Sequence, residues 1–535
     1  MKNSTHSNFK QDKDRIAVIT GEDIQPGSLT LNVDAVVIGS GAGGAVMAFE
    51  LASAGKKVVV LEAGDYVPSQ QFNEELPAMM AALYADHGAQ ANKDGDLLIL
   101  QGQCVGGSTV VNGCVAFRVP QFILDEWARD HGLAQINRDL LDPYYDKIEK
   151  YLSVHENQPH EINANSRKLA AGAEKLGWSV KPLQRNVKQC ALTGHCLSGC
   201  KTDRKQSMLV TYLPWALEKG ASLYANTRVT RIVTDNARAT GVVAETRHPE
   251  TGEKVADVTV NAGVVVLAAG AVQSPLLMLQ SGIGNRSGLV GKNFACHPSV
   301  LIAADFGEPI HIWRGAMLGN YLNEFEHPDK GGFVLEGGGA GPLELSTACD
   351  VGTGADYVDF ISNAKNLASC VSLIHDHNVG EVRWEDGKKV IDYRLSDQDF
   401  PSMIAAIKAA AKIYFAAGAK RVFLPTVQTR YLDSEDQIDS VIDQIKNEPF
   451  TFRMVSYHPQ GTLRLGVDPA TSVVAPTGES HDVKGLFVAD ASLFPTSVLV
   501  NPQMSVYAMS NFIADTLLAK FSHYFPSSEA ASTEA

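Results

Sequence analysis

A glycine-rich turn near the start of the chain has the residue types and spacing that bind a dinucleotide. Its glycines follow the pattern Gly-x-Gly-x-x-Gly, and Glu62 stands eighteen residues after the last of them. The first glycine permits a tight turn, the second lets the backbone approach a pyrophosphate, and the third packs a helix against a strand. A carboxylate such as Glu62 accepts hydrogen bonds from a ribose. The alternative is a structural turn without a ligand. The predicted contact residues of the turn are Gly39, Gly41, Ala42, Gly43 and Gly44.

The elements around this turn have the order that dinucleotide binding requires. Residues 33–38 form a short β-branched run, 45–54 are good helix formers, and 57–61 repeat the pattern of a buried strand. Gly55 stands where a helix C-cap is expected. A strand, a glycine turn, a helix, a second strand and an acid in succession predict a β-α-β unit much more specifically than the glycines alone.

Three cysteines form a second group with chemical potential. Cys190, Cys196 and Cys200, called the cysteine cluster below, are separated by five and three residues. Thiolates at such spacing can converge on an iron-sulfur cluster, so these three are candidate iron-sulfur ligands. No fourth ligand or flanking proline supports a cluster, and a tight loop of buried thiols is the favoured alternative.

Composition excludes several classes of protein. The 535 residues are 45% hydrophobic, with a net charge of -14 that disfavours nucleic acid and anionic membranes as partners. No run of about 18 apolar residues predicts a transmembrane segment, and residues 1–15 lack the apolar core of a secretory signal. We therefore expect a cytoplasmic protein with mostly free thiols, and leave peripheral contact with a membrane open.

Two further regions have sequence patterns that differ from that of the β-α-β unit. Short β-branched runs joined by turn residues over 221–267 indicate a β-meander that ends in a buried strand at 264–267. Mixed strands and two helices, near 401–416 and 434–446, lie between 299 and 451 and are typical of a domain that covers a substrate.

Four segments together resemble the glucose-methanol-choline (GMC) oxidoreductases, which are FAD enzymes that oxidise alcohols. They are 102–112, 270–284, 457–462 and 485–492, and the resemblance extends over about 33–518. Segment 270–284 fits a family signature throughout. The first segment departs from its signature at Gln103, where a basic residue or asparagine is more usual.

The resemblance implies an α/β fold with a Rossmann-type FAD-binding domain and an α+β substrate-binding domain that contains an antiparallel sheet. Both domains are expected to be discontinuous. The FAD-binding segments are 31–70, 100–120, 215–298 and 455–520, and the substrate-binding segments are 71–99, 121–214 and 299–454. Residues 1–30 are an N-terminal lead, and 521–535 are expected to be a flexible tail.

The same resemblance assigns cofactor contacts. Gly106, Gly107 and Asn112 are expected along the flavin and Val229 at the adenine. The remaining contacts that it implies are Ala269, Asp490, Ala491, Asn501, Pro502 and Gln503. Some relatives carry a histidine that bonds covalently to the flavin, and Val111 occupies that position here. The expected cofactor is therefore non-covalent FAD.

Alcohol oxidation requires a base for the hydroxyl proton and an acceptor for the hydride. The resemblance places His458 at the general base and Asn501 at the second residue facing the substrate oxygen; a neutral imidazole suits the first role. Asn501 and Pro502 also have the types of an N-cap and a first helical residue, so Asn501 is expected to cap a helix as well. His297 is expected to be structural.

Two segments resemble one branch of the family, the long-chain alcohol oxidases and their bacterial dehydrogenase relatives. They are 194–200, continued by 205–207, and 478–496; Ala475 replaces a frequent aspartate. The branch implies a hydrophobic alcohol substrate, fatty, terpenoid, aromatic or sterol, with oxygen, quinone or cytochrome as electron acceptor. A hydroxynitrile-lyase-like enzyme and a flavin-binding structural or sensor protein are the alternatives.

Overall fold

Two large β-sheets carry most of the strands in the computed structural model, which describes residues 17–339, 341–349, 351–377 and 380–525. The strands are β1 (Val18–Ile19), β2 (Gly27–Ile38), β3 (Val58–Leu61), β4 (Leu97–Ile99), β5 (Val154–Glu156), β6 (Val180–Pro182), β7 (Gln184–Asn186), β8 (Ser222–Tyr224), β9 (Thr227–Asp235), β10 (Arg238–Arg247), β11 (Lys254–Leu267), β12 (Lys292–Phe294), β13 (Leu301–Asp305), β14 (Leu318–Leu322), β15 (Phe333–Gly338), β16 (Leu367–Ile374), β17 (Gly380–Glu385), β18 (Lys388–Asp392), β19 (Arg421–Phe423), β20 (Tyr431–Leu432), β21 (Met454–Ser456) and β22 (Leu486–Val488). The α-helices are α1 (Ala42–Ser53), α2 (Leu76–Leu83), α3 (Ser108–Val111), α4 (Gln121–His131), α5 (Arg138–Tyr151), α6 (Ala164–Lys175), α7 (Tyr212–Glu218), α8 (Gly270–Ser281), α9 (Pro342–Ala348), α10 (Ala355–Asn363), α11 (Phe400–Ala416), α12 (Gln437–Ile442) and α13 (Gln503–Ala519).

The first sheet is the predicted dinucleotide-binding sheet. Its order is β1-β8-β3-β2-β11-β10-β9, and β22 also pairs with β11. The pairs β2/β3, β3/β8, β2/β11 and β11/β22 are parallel, whereas β9, β10 and β11 form the predicted antiparallel meander. All four residues of β3 are buried, as expected for a strand covered on both faces. The Rossmann-type α/β fold is thus confirmed.

Helix α1 joins the first two strands of the β-α-β unit. It begins at Ala42, three residues before the predicted start, because the glycine turn itself opens the helix. It ends as predicted. Gly55 has a φ of 76°, and the amides of Gly55 and Lys56 donate to the carbonyls of Ala52 and Leu51 at 2.9 and 3.1 Å. This double hydrogen bond is a Schellman cap.

The second sheet is antiparallel and has the order β20-β19-β13-β16-β15-β14-β6. Helices α6 and α11 pack on it and share its apolar core. Its strands come from segments assigned above to substrate binding, and those of the first sheet come mainly from the FAD-binding segments. The division of the chain into FAD-binding and substrate-binding segments stays a prediction.

Both ends of the described chain belong to the fold. Strand β1 and the first residues of β2 lie in the expected lead, and 521–525, expected to be part of a flexible tail, instead include a short 3-10 helix, Phe521–Tyr524, with buried rings. Lys56 lies over the Phe521 ring at 4.4 Å. Residues 1–16 and 526–535 lie outside the described part.

None of the helices in the described part has both the length and the apolar composition that crossing a membrane requires. All eight cysteines are free thiols.

Candidate active site

A single large cavity connects the glycine turn with His458. Its volume is about 1020 Å³, at the upper end of the range for ligand sites. It passes the carboxyl end of the first sheet and reaches one face of the second. The predicted site residues that line it are Gly39, Gly41, Ala42, Gly43, Glu62, Gly107, Asn112, Val229, Ala269, His458, Asp490, Ala491, Asn501, Pro502 and Gln503.

The glycine turn has no room for side chains where the chain segments meet. Gly39 has a φ of 96°, which favours glycine, and a Cβ there would lie 2.5 Å from the carbonyl oxygen of Ala268. A Cβ on Gly43 would lie 1.6 Å from the carbonyl oxygen of Ala489. Gly44 packs on the turn itself and does not line the cavity. The turn therefore brings bare backbone to the cavity wall.

Glu62 holds the turn from the end of β3. Its carboxylate accepts hydrogen bonds from the amide and hydroxyl of Ser40 at 2.9 and 2.7 Å, and from the amide of Gly64 at 2.8 Å. A carboxylate offers about four acceptor positions, so one remains for a ribose. Gly106 lies behind the wall, where its amide donates to Ser40 Oγ at 3.0 Å. Gly106 does not line the cavity, so the structure places it as support for the turn, and the expected contact of Gly106 with the flavin stays a prediction.

Asp490 organises the second half of the cofactor wall. Its carboxylate accepts from the amide of Gly270 at 2.8 Å and the hydroxyl of Ser274 at 2.5 Å, at the start of α8. Burial raises its pKa, which the hydrogen bonds from Ser274 and Ser492 partly offset. The side chain thus joins α8 to the loop after β22, where Asp490 and Ala491 both line the cavity.

A side-chain hydrogen bond between Asn112 and Gln503 joins two parts of the cavity wall. The Asn112 amide donates to Gln503 Oε1 at 2.8 Å, and Gln503 donates in turn to the carbonyl of Val115. Both side chains have hydrogen-bond partners within the protein, so the geometry favours a role in holding the cavity wall in place. Direct contact of either side chain with the flavin stays a prediction.

Helix α13 does not begin as expected. It starts at Gln503, with Pro502 as the N-cap residue, and no side chain caps it. The expectation that Asn501 caps this helix is therefore wrong. The Asn501 side chain turns toward His458 instead, and its amide nitrogen lies 3.4 Å from His458 Nε2. Its oxygen is buried without a hydrogen-bond partner among the described residues. The predicted catalytic pair is thus brought together.

His458 rests on a second histidine that sequence reasoning treated as structural. His297 is fully buried, and its Nδ1 lies 3.2 Å from His458 Nδ1. Gln460 contacts His297 Nε2 at 2.9 Å. The backbone of His297 is in the left-handed region, at a φ of 48°, and its amide donates to Asp376 at 3.1 Å. Burial lowers the pKa of His458 to about 3, so its imidazole is neutral at physiological pH.

One buried carboxyl that lines the cavity was missed by sequence reasoning. Glu336, on β15, is 2% exposed and lines the cavity beside Asn501. Burial raises its pKa to about 8, and the neighbouring Asn501 side chain offsets this in part. The signal in the sequence was a single acid within the otherwise apolar strand Phe333–Gly338.

The cysteine cluster lies beside this site, and its members line one small cavity together with Cys114. A hydrogen bond with the Cys114 thiol, helped by Lys205 and Arg185, lowers the pKa of Cys196 to about 6. Among the described residues, no group of three or more histidine, cysteine or acidic side chains is arranged to hold a metal ion. The three thiols are free and half-buried, not buried as the alternative expected, and iron ligation stays an untested prediction.

A Rossmann-type sheet, a bare glycine turn and a histidine and asparagine across one cavity define the class of dinucleotide-dependent oxidoreductases. Comparison with known proteins narrows the class. Models of the GMC oxidoreductase family match residues 80–299 and 376–510, and a model of an NAD(P)-binding Rossmann-like domain matches 37–96. The chain belongs to the GMC oxidoreductase family.

Its relatives place it near the alcohol oxidases of that family. It is 33% identical to an uncharacterized GMC-type oxidoreductase of Mycobacterium tuberculosis, over 91% of this chain and 76% of the relative. It is 30% identical to a second uncharacterized GMC-type oxidoreductase, from Sinorhizobium fredii, over 92% of this chain and 95% of the relative. A long-chain-alcohol oxidase of Arabidopsis thaliana is 29% identical over 92% of this chain and 69% of its own length.

Solved structures share the fold at low identity. A formate oxidase superposes with a TM-score of 0.68 at 17% identity, covering 94% of this chain and all of the other. Pyridoxine 4-oxidase from Mesorbium loti superposes with a TM-score of 0.68 at 19% identity, covering 91% of this chain and 99% of its own. The protein is an FAD-dependent oxidoreductase that acts on CH-OH donors. Its cavity fits FAD, since bare backbone at Gly39, Gly41 and Gly107 leaves room for a pyrophosphate and the cavity continues to His458.

Proposed function

We propose that this protein oxidises a hydrophobic alcohol to an aldehyde or ketone, with the carbinol carbon placed between His458 and non-covalent FAD. The observation that carries the proposal is the continuous cavity from the glycine turn to His458 and Asn501. When bound there, FAD supplies the acceptor for the hydride of the alcohol. The chain supplies the walls that hold the cofactor and the polar groups that hold the alcohol oxygen.

The apolar character of the cavity rim supports a hydrophobic substrate. Leu98, Val427 and Phe450 line the cavity and are 42%, 46% and 53% exposed. Large apolar side chains that stay exposed around an opening are typical of binding sites for apolar molecules. The Arabidopsis relatives are named for long-chain alcohols, and we extend that substrate class to this protein within the proposal.

His458 and Asn501 are the groups that we place at the substrate oxygen. Their side chains lie 3.4 Å apart at the inner end of the cavity, and Asn501 has an unpaired polar atom there. The family resemblance further assigns the hydroxyl proton to His458, which requires an unprotonated Nε2. That assignment stays a prediction.

Anaerobic flavin reduction tests the proposed function directly. The purified protein is mixed with primary and secondary alcohols of increasing chain length and ring content, and the loss of the oxidised flavin band is followed. We expect bleaching that becomes faster with apolar size. Cleavage of a hydroxynitrile without bleaching supports the lyase alternative instead, and a flavin that no alcohol bleaches supports the structural or sensor alternative.

The variant His458→Ala separates binding from chemistry. We expect it to retain FAD, because His458 lies beyond the cofactor wall formed by the glycine turn, and to lose flavin reduction. Reduction at the wild-type rate contradicts a role for His458 at the substrate oxygen. Stopped-flow reoxidation of the reduced protein by oxygen, a quinone or a cytochrome then identifies the electron acceptor.

A further inference from the structure

The large cavity continues beyond Asn501 along one face of the second sheet. Glu336, on β15, contacts the Asn501 side chain, and its direct neighbour across β16 is Val371. Val371 in turn pairs with Leu301 on β13. Directly paired residues point to the same face of a sheet, and all three line the cavity. They form a row that starts at Asn501 and crosses three strands.

The part of the cavity along this row is called the inner arm below. Leu373 lies on the same face two residues after Val371, and Ala348 comes from helix α9. Six apolar residues thus form the wall of the arm beyond Glu336. They are Leu301, Met317, Leu318, Ala348, Val371 and Leu373. A wall of such side chains suits hydrocarbon and offers no charged partner to a polar group.

A glycine keeps the inner arm open. Gly338 lines the cavity from β15 and pairs with Leu318 on β14. A Cβ on Gly338 would lie 3.7 Å from a methyl carbon of Val371 and 3.8 Å from one of Leu318, which is ordinary contact. The neighbouring side chains therefore do not fill the space that a side chain at position 338 would occupy.

The inner arm leaves Glu336 in one direction only. On the other side of Glu336 the row continues to Tyr321 on β14, which does not line the cavity because its ring packs on Phe117 at 4.8 Å. At the far end, helix α9 carries Ala348 to the cavity wall and packs with Leu301 in one apolar cluster. The arm thus begins at Asn501 and ends at α9.

The sheet itself gives the length of the inner arm. Neighbouring strands are about 4.8 Å apart, so Val371 lies about 5 Å and Leu301 about 10 Å from Glu336 across the sheet. An extended chain advances about 3.5 Å over three bonds, so the arm holds about eight bonds. With the carbinol carbon, this corresponds to a chain of about nine carbons.

Resting on the proposed function, we propose that the inner arm binds the hydrocarbon chain of an unbranched primary alcohol, with the carbinol carbon beside Asn501 and the chain end near Ala348. A primary alcohol has one chain on its carbinol carbon, which matches an arm that leaves Glu336 in one direction. Leu301 and Met317 are only 7% and 9% exposed, so a chain between them loses nearly all contact with water.

The competing arrangement has the chain pointing outward to the rim of the cavity. Leu98, Val427 and Phe450 at the rim are 42%, 46% and 53% exposed, so a chain against them stays partly in water and gains less per carbon. The two arrangements respond differently to added bulk in the arm and to truncation at the rim.

Flavin reduction by the straight-chain primary alcohols from ethanol to tetradecan-1-ol tests the length of the inner arm. The FAD-loaded protein is mixed anaerobically with each alcohol, and the reduction rate constant is divided by the half-saturating alcohol concentration. We expect this ratio to rise about fourfold with each added CH2 group, as burial of a CH2 group predicts. The rise should stop at about nine carbons, where the arm is full.

Two variants shorten the inner arm, and a third is their control. Val371→Phe blocks the arm one strand away from Glu336, so the rise should stop about four carbons earlier than in the wild type. Ala348→Phe adds bulk at the far end and should shorten the limit by less, which keeps the test available should Val371→Phe fail to fold. Val358→Phe makes the same exchange as the first variant on α10, where the side chain is 62% exposed and does not line the cavity. It should keep the wild-type limit.

The rim variant Phe450→Ala tests the opposite orientation of the chain. We expect it to leave the length limit where it is in the wild type. A limit that moves in Phe450→Ala but stays in Val371→Phe and Ala348→Phe overturns the inference, because the chain then points outward.

The inference and the proposed function fail in different ways. A wild-type flavin that no alcohol of any kind bleaches refutes the proposed function, and the inference with it. Bleaching by branched or cyclic alcohols but by no straight-chain one refutes the inference alone. So does a series of straight-chain alcohols whose ratios do not depend on length.

Discussion

Glu336→Gln is predicted to stabilise the folded protein at alkaline pH, independently of any catalytic effect. The carboxyl has an ordinary pKa of 4.5 when exposed in the unfolded chain and about 8 when buried in the fold. Between these values the native state binds a proton that the unfolded state has released. The free energy of unfolding therefore falls as pH rises from 4.5 to 8, and is fully lowered above 8.

The size of the effect follows from the two pKa values. Each tenfold difference in proton affinity corresponds to about 1.36 kcal/mol, so the buried carboxylate lowers the free energy of unfolding by about 5 kcal/mol at pH 9. The cost disappears well below pH 4.5, where the carboxyl is protonated in both states, and it is already small at pH 5. Glutamine has nearly the same shape and never ionises, so the variant avoids the cost at every pH.

Thermal unfolding of the FAD-loaded protein is measured at pH 5, 7 and 9 for the wild type, Glu336→Gln and Glu174→Gln. Glu174 is exposed on α6 and serves as the control. We expect the difference between Glu336→Gln and wild type to be near zero at pH 5 and to grow to several degrees at pH 9, with no such growth for the control. Parallel curves for Glu336→Gln and wild type from pH 5 to 9 refute the buried, neutral state of this carboxyl.

Three further predictions concern the cofactor and the thiols. Denaturation with acid should release free FAD into the supernatant, because Val111 offers no atom for a covalent bond; yellow colour that stays with the precipitate contradicts this. Gly43→Ala should lower the free energy of unfolding by about 3 kcal/mol and strongly reduce the ratio of flavin to protein absorbance, since the new methyl group would lie 1.6 Å from the Ala489 carbonyl oxygen. A variant with full FAD content contradicts this packing. Iron analysis should find well below one atom per chain, because no described residues around the cysteine cluster are arranged to hold a metal ion, and three atoms per chain with visible absorbance establishes a cluster.

The β-α-β unit was predictable because its determinants are local. The buried strand pattern at 58–61, the glycine turn and Gly55 at the C-cap each act through neighbours a few residues away. The start of α1 was misplaced by three residues because glycines were counted as loop, although Gly43 and Gly44 are helical. The predicted helix at 434–446 is shorter in the structure, Gln437–Ile442.

The site was predictable only where a family signature marks it. His458 and Asn501 stand in such signatures, and the structure brings them within 3.4 Å. The capping role given to Asn501 failed because cap propensity describes an isolated helix end, whereas this side chain has a partner from another segment. His297 and Glu336 reach His458 and Asn501 through tertiary packing over more than 150 residues of sequence, which no local pattern encodes.

Strand β22 and helix α13 come from the last tenth of the chain, although they complete a cofactor wall that begins at Gly39. On the ribosome, the glycine turn emerges hundreds of residues before the segment that carries Asp490 and Asn501. On the edge of β11 opposite β2, β10 pairs with residues 254–261, whereas residues 265–267 have no partner until β22 arrives. The cavity wall also lacks Asp490 and Asn501 until then. We therefore expect FAD to bind only after the C-terminal segment is made, and a chain interrupted before residue 486 to leave residues 265–267 of β11 open on one edge to pairing with other chains.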